Sequence, residues 1–397
     1  PISYTNQYGL IVDDITLDKI TLSQNIKYST LLGIKSDGTL WGTGKNIQGQ
    51  LGVGHQNNIY DKYVQIGSDK WKVIKISNQF YTTYGIKEDG SLWGWGTQYD
   101  KELGNNSGIN THTTPSLIDA GEWTDVEISG KQVMALKSDG TLWGAGQNTY
   151  HTIDASTGND IGTLMQMGVA NNWIKIKNDS YDNFAMNSLG ELWARGRNNE
   201  GQLGVGDFIE RDNLTKVLLP EPIIDFGVSI YYAGFAIGES GKLYSWGKDA
   251  SNQLGYDANA DVPTPVQVGI DTDWTSMIGN SYAILAKKMD GSLWGWGANW
   301  NQMLSSDFSS TYVPVKILDK DLNTVLVASY STYRIDENGT ISESGRSGNY
   351  TFNNINISDK ETITLSTNMK TLFQNKDNNL YFSGNNNYKK NGIVRCT

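Results

Sequence analysis

The sequence predicts an all-β protein, a single β-propeller of four-stranded blades. Three observations carry this reading. A short motif returns at a steady interval along the whole chain, each copy holds a tight-turn signal, and the tryptophans are locked to the same interval.

The motif is Ser36-Asp37-Gly38-Thr39-Leu40-Trp41-Gly42. It returns as Glu88-Asp89-Gly90-Ser91-Leu92-Trp93-Gly94, and at Asp139 to Gly144 and Asp290 to Gly295. Weaker copies begin at Leu189, Ser240, Asn338 and Asn378. Successive spacings from residue 37 are 52, 50, 50, 51, 50, 48 and 40. The eight anchors predict eight blades, with seven as the alternative because the last two copies are degenerate. Asp-Gly or Asn-Gly between apolar runs is a strong hairpin signal, and the expected turn is type I′, with positive φ at both central residues. An alternating strand precedes each turn (Thr30 to Lys35) and another follows it (Thr39 to Gly42). A third lies upstream (Trp71 to Ile76), and a fourth ends each unit (Tyr63 to Ile66). No stretch has a helical period. Residues 1–14 form an N-terminal segment, and 15–397 the propeller. Gly9 to Val12 aligns with a fourth strand, and Ile393 to Cys396 is the other candidate to close the ring.

Of 13 tryptophans, five follow the turn (Trp41, Trp93, Trp143, Trp193, Trp294), four open the upstream strand (Trp71, Trp123, Trp173, Trp274), and three stand beside the closing glycine (Trp95, Trp246, Trp296). Rings fixed to the repeat are expected to fill the wedge between blades. Trp300 alone is left over.

After the hairpin comes Asn46-Ile47-Gln48-Gly49-Gln50-Leu51-Gly52, which returns at Asn198 to Gly204 and Ser251 to Gly255, with echoes at Lys101 to Gly104 and Asn301 to Leu304. Together with the Asp-Gly-x-Leu-Trp-Gly hairpin, this resembles the repeat of the regulator of chromosome condensation (RCC1) family over nearly the whole chain. The resemblance implies the propeller fold, seven-bladed in the prototype. It implies two precedents for activity, nucleotide exchange on a small GTPase and inhibition of a secreted enzyme through a propeller face.

Composition narrows the function. Lys and Arg total 32 against 42 Asp and Glu, for a net charge of −10. Such a surface repels phosphate backbones, and no basic patch offsets it, so no nucleic-acid partner is expected. No apolar run is long enough for a membrane span, and none is expected to insert. The single cysteine, Cys396, excludes an internal disulfide and a cysteine-built zinc site. His55, His112 and His151 fall in three different loops, without ligand spacing. Each turn carries one aspartate, which reads as a turn former rather than a calcium ligand. No catalytic motif is present. The expectation is a protein without enzymatic activity, cofactor or metal.

What remains is a docking platform. The candidate binding residues are loop aromatics that the repeat does not explain: Trp300 first, then Tyr60, Tyr99, Tyr150, Phe208 and Phe308. A start at Pro1, without a signal peptide, fits synthesis in the cytosol. Together with the Asn-, Ile-, Lys- and Thr-rich texture, it fits a bacteriophage virion component: a tail, collar or fibre decoration, or a contact with the host surface. Its partners would be other virion proteins, a copy of itself in a symmetric homo-oligomer, or a cell-surface glycan. The alternative is a cytoplasmic adaptor or regulator, such as a GTPase exchange factor, or an enzyme inhibitor acting through the propeller face.

Overall fold

The repeat folds as an antiparallel meander whose four strands pair in chain order. In residues 123–166 the strands are Trp123–Ser129, Gln132–Lys137, Leu142–Gly146 and Ile161–Gln166, each hydrogen-bonded to the next. The computed structural model describes residues 37–77, 81–179, 181–228, 232–279, 283–299 and 310–318 continuously, with separate strand segments on either side. Four-stranded sheets recur within 173–216, 223–267, 274–318 and 322–355. The first two repeats merge into one seven-stranded sheet because Ile59–Ile76 is a single strand of 18 residues. Its first part pairs with Thr39–Gly44 and its last part with Thr82–Lys87. The last repeat is a three-stranded sheet of Ile363–Thr367, Lys370–Gln374 and Leu380–Gly384. These sheets are the eight blades that the anchors predict.

The chain divides into two compact units, Pro1–Asn183 with Glu361–Thr397, and Phe184–Lys360. In the first, Ile11–Val12 pairs with Tyr4–Thr5, which lies beside Leu380–Gly384 of the last blade. The other closing candidate, Ile393 to Cys396, lies outside the described residues.

The hairpins correct one expectation. Asp37, Asp89, Asp139 and Asp290 do not have positive φ, while Gly38, Gly90, Gly140 and Gly291 do. Gly140 N–H donates to Lys137 O, and Lys137 N–H to Thr141 O. The turn is therefore a three-residue loop, a type I turn closed by a left-handed glycine, rather than type I′. The aspartate selects it by accepting hydrogen bonds at Oδ1 from Thr141 N–H at 2.9 Å and Thr141 Oγ1 at 2.6 Å. Thr141 Oγ1 accepts in turn from Trp143 Nε1 at 2.9 Å. The same relay runs Trp41–Thr39–Asp37 and Trp93–Ser91–Asp89. Aspartate, hydroxyl and indole thus recur together because each satisfies the next.

The tryptophan that opens the first strand lies edge-on to its neighbours. Trp71 meets Trp93 at 6.4 Å and Trp95 at 5.5 Å, and Trp274 meets Trp294 at 6.1 Å and Trp296 at 6.2 Å. A lysine from the second strand lies over two of these rings. Lys137 stands 4.8 Å from Trp123 and 4.5 Å from Trp143, and Lys87 and Lys288 repeat the arrangement. An aspartate from the connection between blades pairs with each lysine: Asp69 with Lys87 at 2.9 Å, Asp119 with Lys137 at 3.7 Å, and Asp271 with Lys288 at 2.8 Å.

The Gly-Gln-Leu-Gly loop joins consecutive blades. Trp95 Nε1 donates to Gln50 O of the preceding repeat at 2.9 Å, and Trp246 and Trp296 donate likewise to Gln202 O and Gln253 O at 2.8 Å. Leu51 is buried among Leu32, Ile66, Trp71 and Trp95. Asn46 Oδ1 fixes the loop by accepting from Leu51 N–H at 2.9 Å. Each buried indole withdraws roughly 200 Å² from water, on the order of 5 kcal/mol before entropy is counted. The expected wedge packing of the tryptophans is observed at these junctions.

Candidate functional site

Each blade has two ends. The hairpin and the connection to the next blade lie at one, the turn end. The loop between the first and second strands and the long loop between the third and fourth lie at the other, the loop end. Of the six sequence candidates, Tyr99, Tyr150 and Phe208 fall between third and fourth strands, hence at loop ends.

The structure separates them. Tyr99 is 63% exposed beside Asp100, whose carboxylate pairs with Lys131 of the next blade at 2.8 Å. Tyr150 adopts φ +62° and its ring meets Tyr181 of the next blade edge-on at 5.4 Å, so its role is that of a junction residue. Phe208 is 48% exposed and its neighbour Ile209 67%. Tyr60 lies in the strand Ile59–Ile76, but its side chain is outside the described residues, as are Trp300 and Phe308 altogether.

Phe208 and Ile209 are presented on a braced tip. Asp207 Oδ1 accepts from Ile209 N–H at 2.9 Å, and Asp207 Oδ2 from Arg211 Nη2 at 2.6 Å. Asn198 Nδ2 holds Asp207 O at 2.8 Å and Ile209 O at 3.0 Å. Arg211 Nη1 also donates to Ile209 O at 2.6 Å. With the backbone held on both sides, a contact made by this tip costs little ordering entropy.

A repeated tyrosine escaped the sequence reading. Tyr81, Tyr181 and Tyr232 each precede the second strand of their blade. Lys45 Nζ donates to Tyr81 OH at 2.7 Å, and the Arg197 guanidinium lies 4.3 Å from the Tyr232 ring centre. Glu200 Oε1 bridges Arg197 at 2.9 Å and Lys248 at 3.6 Å. The signal was present, since all three tyrosines keep the repeat interval.

Glu102 is a deeply buried acid among these loops. Glu102 takes the place of Gln50, Gln202 and Gln253, and is 1% exposed. Its Oε2 accepts from Asp100 N–H at 2.8 Å, as the glutamine oxygens do two residues upstream in the sister loops. Tyr84 OH donates to Glu102 O. Burial pushes the carboxyl up to about 7, against the opposing effect of the backbone donors.

His112 is held by Ser107 at 2.9 Å and Ser116 at 3.0 Å, and burial pulls its imidazole below the ordinary range. Among the described residues no three acids, histidines or cysteines gather as metal ligands. No helix of the described residues is long and apolar enough to cross a membrane.

Comparisons with known proteins agree with this geometry. The family model described as Regulator of chromosome condensation (RCC1) repeat matches residues 240–278. The fold is similar to that of Prp20p, the RCC1 of yeast, with a TM-score of 0.60 at 17% identity over 81% of this chain and 80% of that one. The chain carries an RCC1 repeat at residues 240–278 and shares the propeller fold of these proteins. Human WBSCR16 is also similar, with a TM-score of 0.63 at 15% identity over 81% of this chain and 94% of that one. In sequence, the mouse X-linked retinitis pigmentosa GTPase regulator is 33% identical over 83 residues, 19% of this chain. That stretch is 8% of the mouse protein, so this chain matches under a tenth of its length.

Proposed function

We propose that this RCC1-like chain is a non-enzymatic docking module that meets a protein partner with its blade loops. The observation that carries the reading is the tip at Phe208 and Ile209, two large apolar side chains held out to solvent on a braced backbone. Such side chains serve as anchors in interface centres. Tyr99 is a second exposed aromatic of the same kind.

The test is a pair of variants, Phe208→Ala and Ile209→Asp, in a pull-down from the native source read by mass spectrometry. A partner captured by the wild type and lost by both, with melting temperatures unchanged, supports the reading. Equal capture by all three overturns the assignment to this tip.

A second reading, exchange on a small GTPase, is favoured by the likeness to Prp20p, a protein described as binding Gsp1p and histones. Accelerated release of labelled GDP from a small GTPase would support it. The setting proposed on composition is a virion, with other virion proteins or a surface glycan as partners and the cytoplasm as alternative. Co-sedimentation with phage particles tests it.

A further inference from the structure

The tryptophan and lysine pattern is interrupted in the blade of residues 223–267, and a cleft lies beside the interruption. There Ile223 stands where Trp71, Trp123, Trp173 and Trp274 open the first strand of four sister blades. Gly238 stands opposite it, where Lys87, Lys137 and Lys288 stand in sister blades. Tyr244 replaces the tryptophan after the turn. The stack of lysine over two indoles is therefore absent from this blade. Its space is taken by Glu221, whose Cδ lies 2.5 Å from where a Cβ on Gly238 would sit.

Between the connection that carries Glu221 and the preceding hairpin is a cleft of about 210 Å³. Its apolar walls are Leu189, Leu192, Val217, Leu219, Pro220 and Pro222. Leu189 is 65% exposed at the mouth. Pro220 and Pro222 fix the backbone on both sides of Glu221, so the wall is stiff. This volume is below the 300–1,000 Å³ of ordinary small-molecule pockets and suits a single side chain.

The charges at the rim define the rest of the guest. Glu191 pairs with Lys216 at 2.6 Å, so these two offset each other. Glu221 accepts from Ser240 Oγ and Tyr244 OH at 2.6 Å and from Ser240 N–H at 2.9 Å. Those donors are neutral; they and the nearby Lys242 favour the ionised form, so the carboxylate keeps its charge. In three sister blades the connection's carboxylate pairs with the second-strand lysine, and here that lysine is Gly238.

We propose that this cleft receives an aliphatic side chain of a protein partner whose adjacent lysine or arginine pairs with Glu221, filling the place of the missing lysine. The site lies at the turn end, whereas the Phe208 tip lies at the loop end of the preceding blade. The two can fail independently.

The probe is a fluorescein-labelled acetyl-Ser-Leu-Arg-Ser-amide, titrated against the full chain by fluorescence anisotropy. Saturable binding with a dissociation constant on the order of 1 mM is expected for so small a contact. Leu189→Glu, at an exposed position, should weaken it about tenfold with the melting temperature unchanged. Glu221→Gln should remove most of its dependence on salt, and a peptide with glutamate for arginine should bind about tenfold more weakly. Phe208→Ala should change nothing. Absence of saturable binding, or equal binding by Leu189→Glu, overturns the proposal. If n-butylguanidinium binds as tightly as the peptide, the cleft is a small-cation site and the peptide assignment falls.

Discussion

At the residue scale, the same position of the repeat serves different ends when one atom changes. Glu102 differs from Gln50 by an oxygen for an amide, yet it puts a carboxyl into a buried loop. Its folded-state value near 7 lies above the ordinary 4.5, so the folded chain holds a proton that the unfolded chain releases. Stability must then fall as pH rises from about 4.5 to 7 and level off above. Glu102→Gln should remove this dependence and, at pH 8, raise stability by on the order of 2 kcal/mol, read by urea denaturation at several pH values. An unchanged pH profile would count against a buried, proton-holding carboxyl. Tryptophans also separate by burial. Trp123 is 1% exposed and Trp143 only half-buried. Trp123→Ala should cost ~3–5 kcal/mol, and Trp143→Ala clearly less, by equilibrium unfolding.

At the element scale, the hairpin was legible from its Asp-Gly text, but its type was not. The aspartate does not enter the left-handed region. It caps the turn through the hydroxyl two residues on, and no count of turn formers reveals which atoms it will meet. The Gly-Gln-Leu-Gly loop was visible as a motif for the same reason that its role was hidden. Its essential group is the Gln50 carbonyl, which every residue possesses. Matched glycines separate conformation from crowding. Gly140 and Gly168 have φ of +78° and +79°, but a Cβ on Gly140 would lie 2.2 Å from Asn171 O, while one on Gly168 meets nothing within 4 Å among the described residues. Gly168→Ala should cost about 1 kcal/mol for backbone strain alone. Gly140→Ala should cost several times that, and equal melting temperatures for the two would contradict the described connection.

At the scale of the whole molecule, the number of blades followed from the spacing of eight anchors, because each anchor nucleates one meander. Function was less legible. The exposed pair at Phe208 and Ile209 depends on a brace of side chains that the sequence scatters from Asn198 to Arg211. The cleft shows in the sequence as Ile223, Gly238 and Tyr244, standing where sister blades have tryptophan, lysine and tryptophan. The net charge of −10 does give a direct expectation. In a mobility-shift assay at 0.15 M salt, duplex DNA should remain unshifted at protein concentrations of about 10 μM. A retarded band would reveal a cationic surface that the charge balance hides.

The strand Ile59–Ile76 belongs to two blades at once. Its first part pairs with one blade and its last part with the next, so one uninterrupted backbone carries an edge of both. Proteolytic nicks and inserted tags are tolerated at the connectors between later blades before they are tolerated here, where the backbone acts as a common spine.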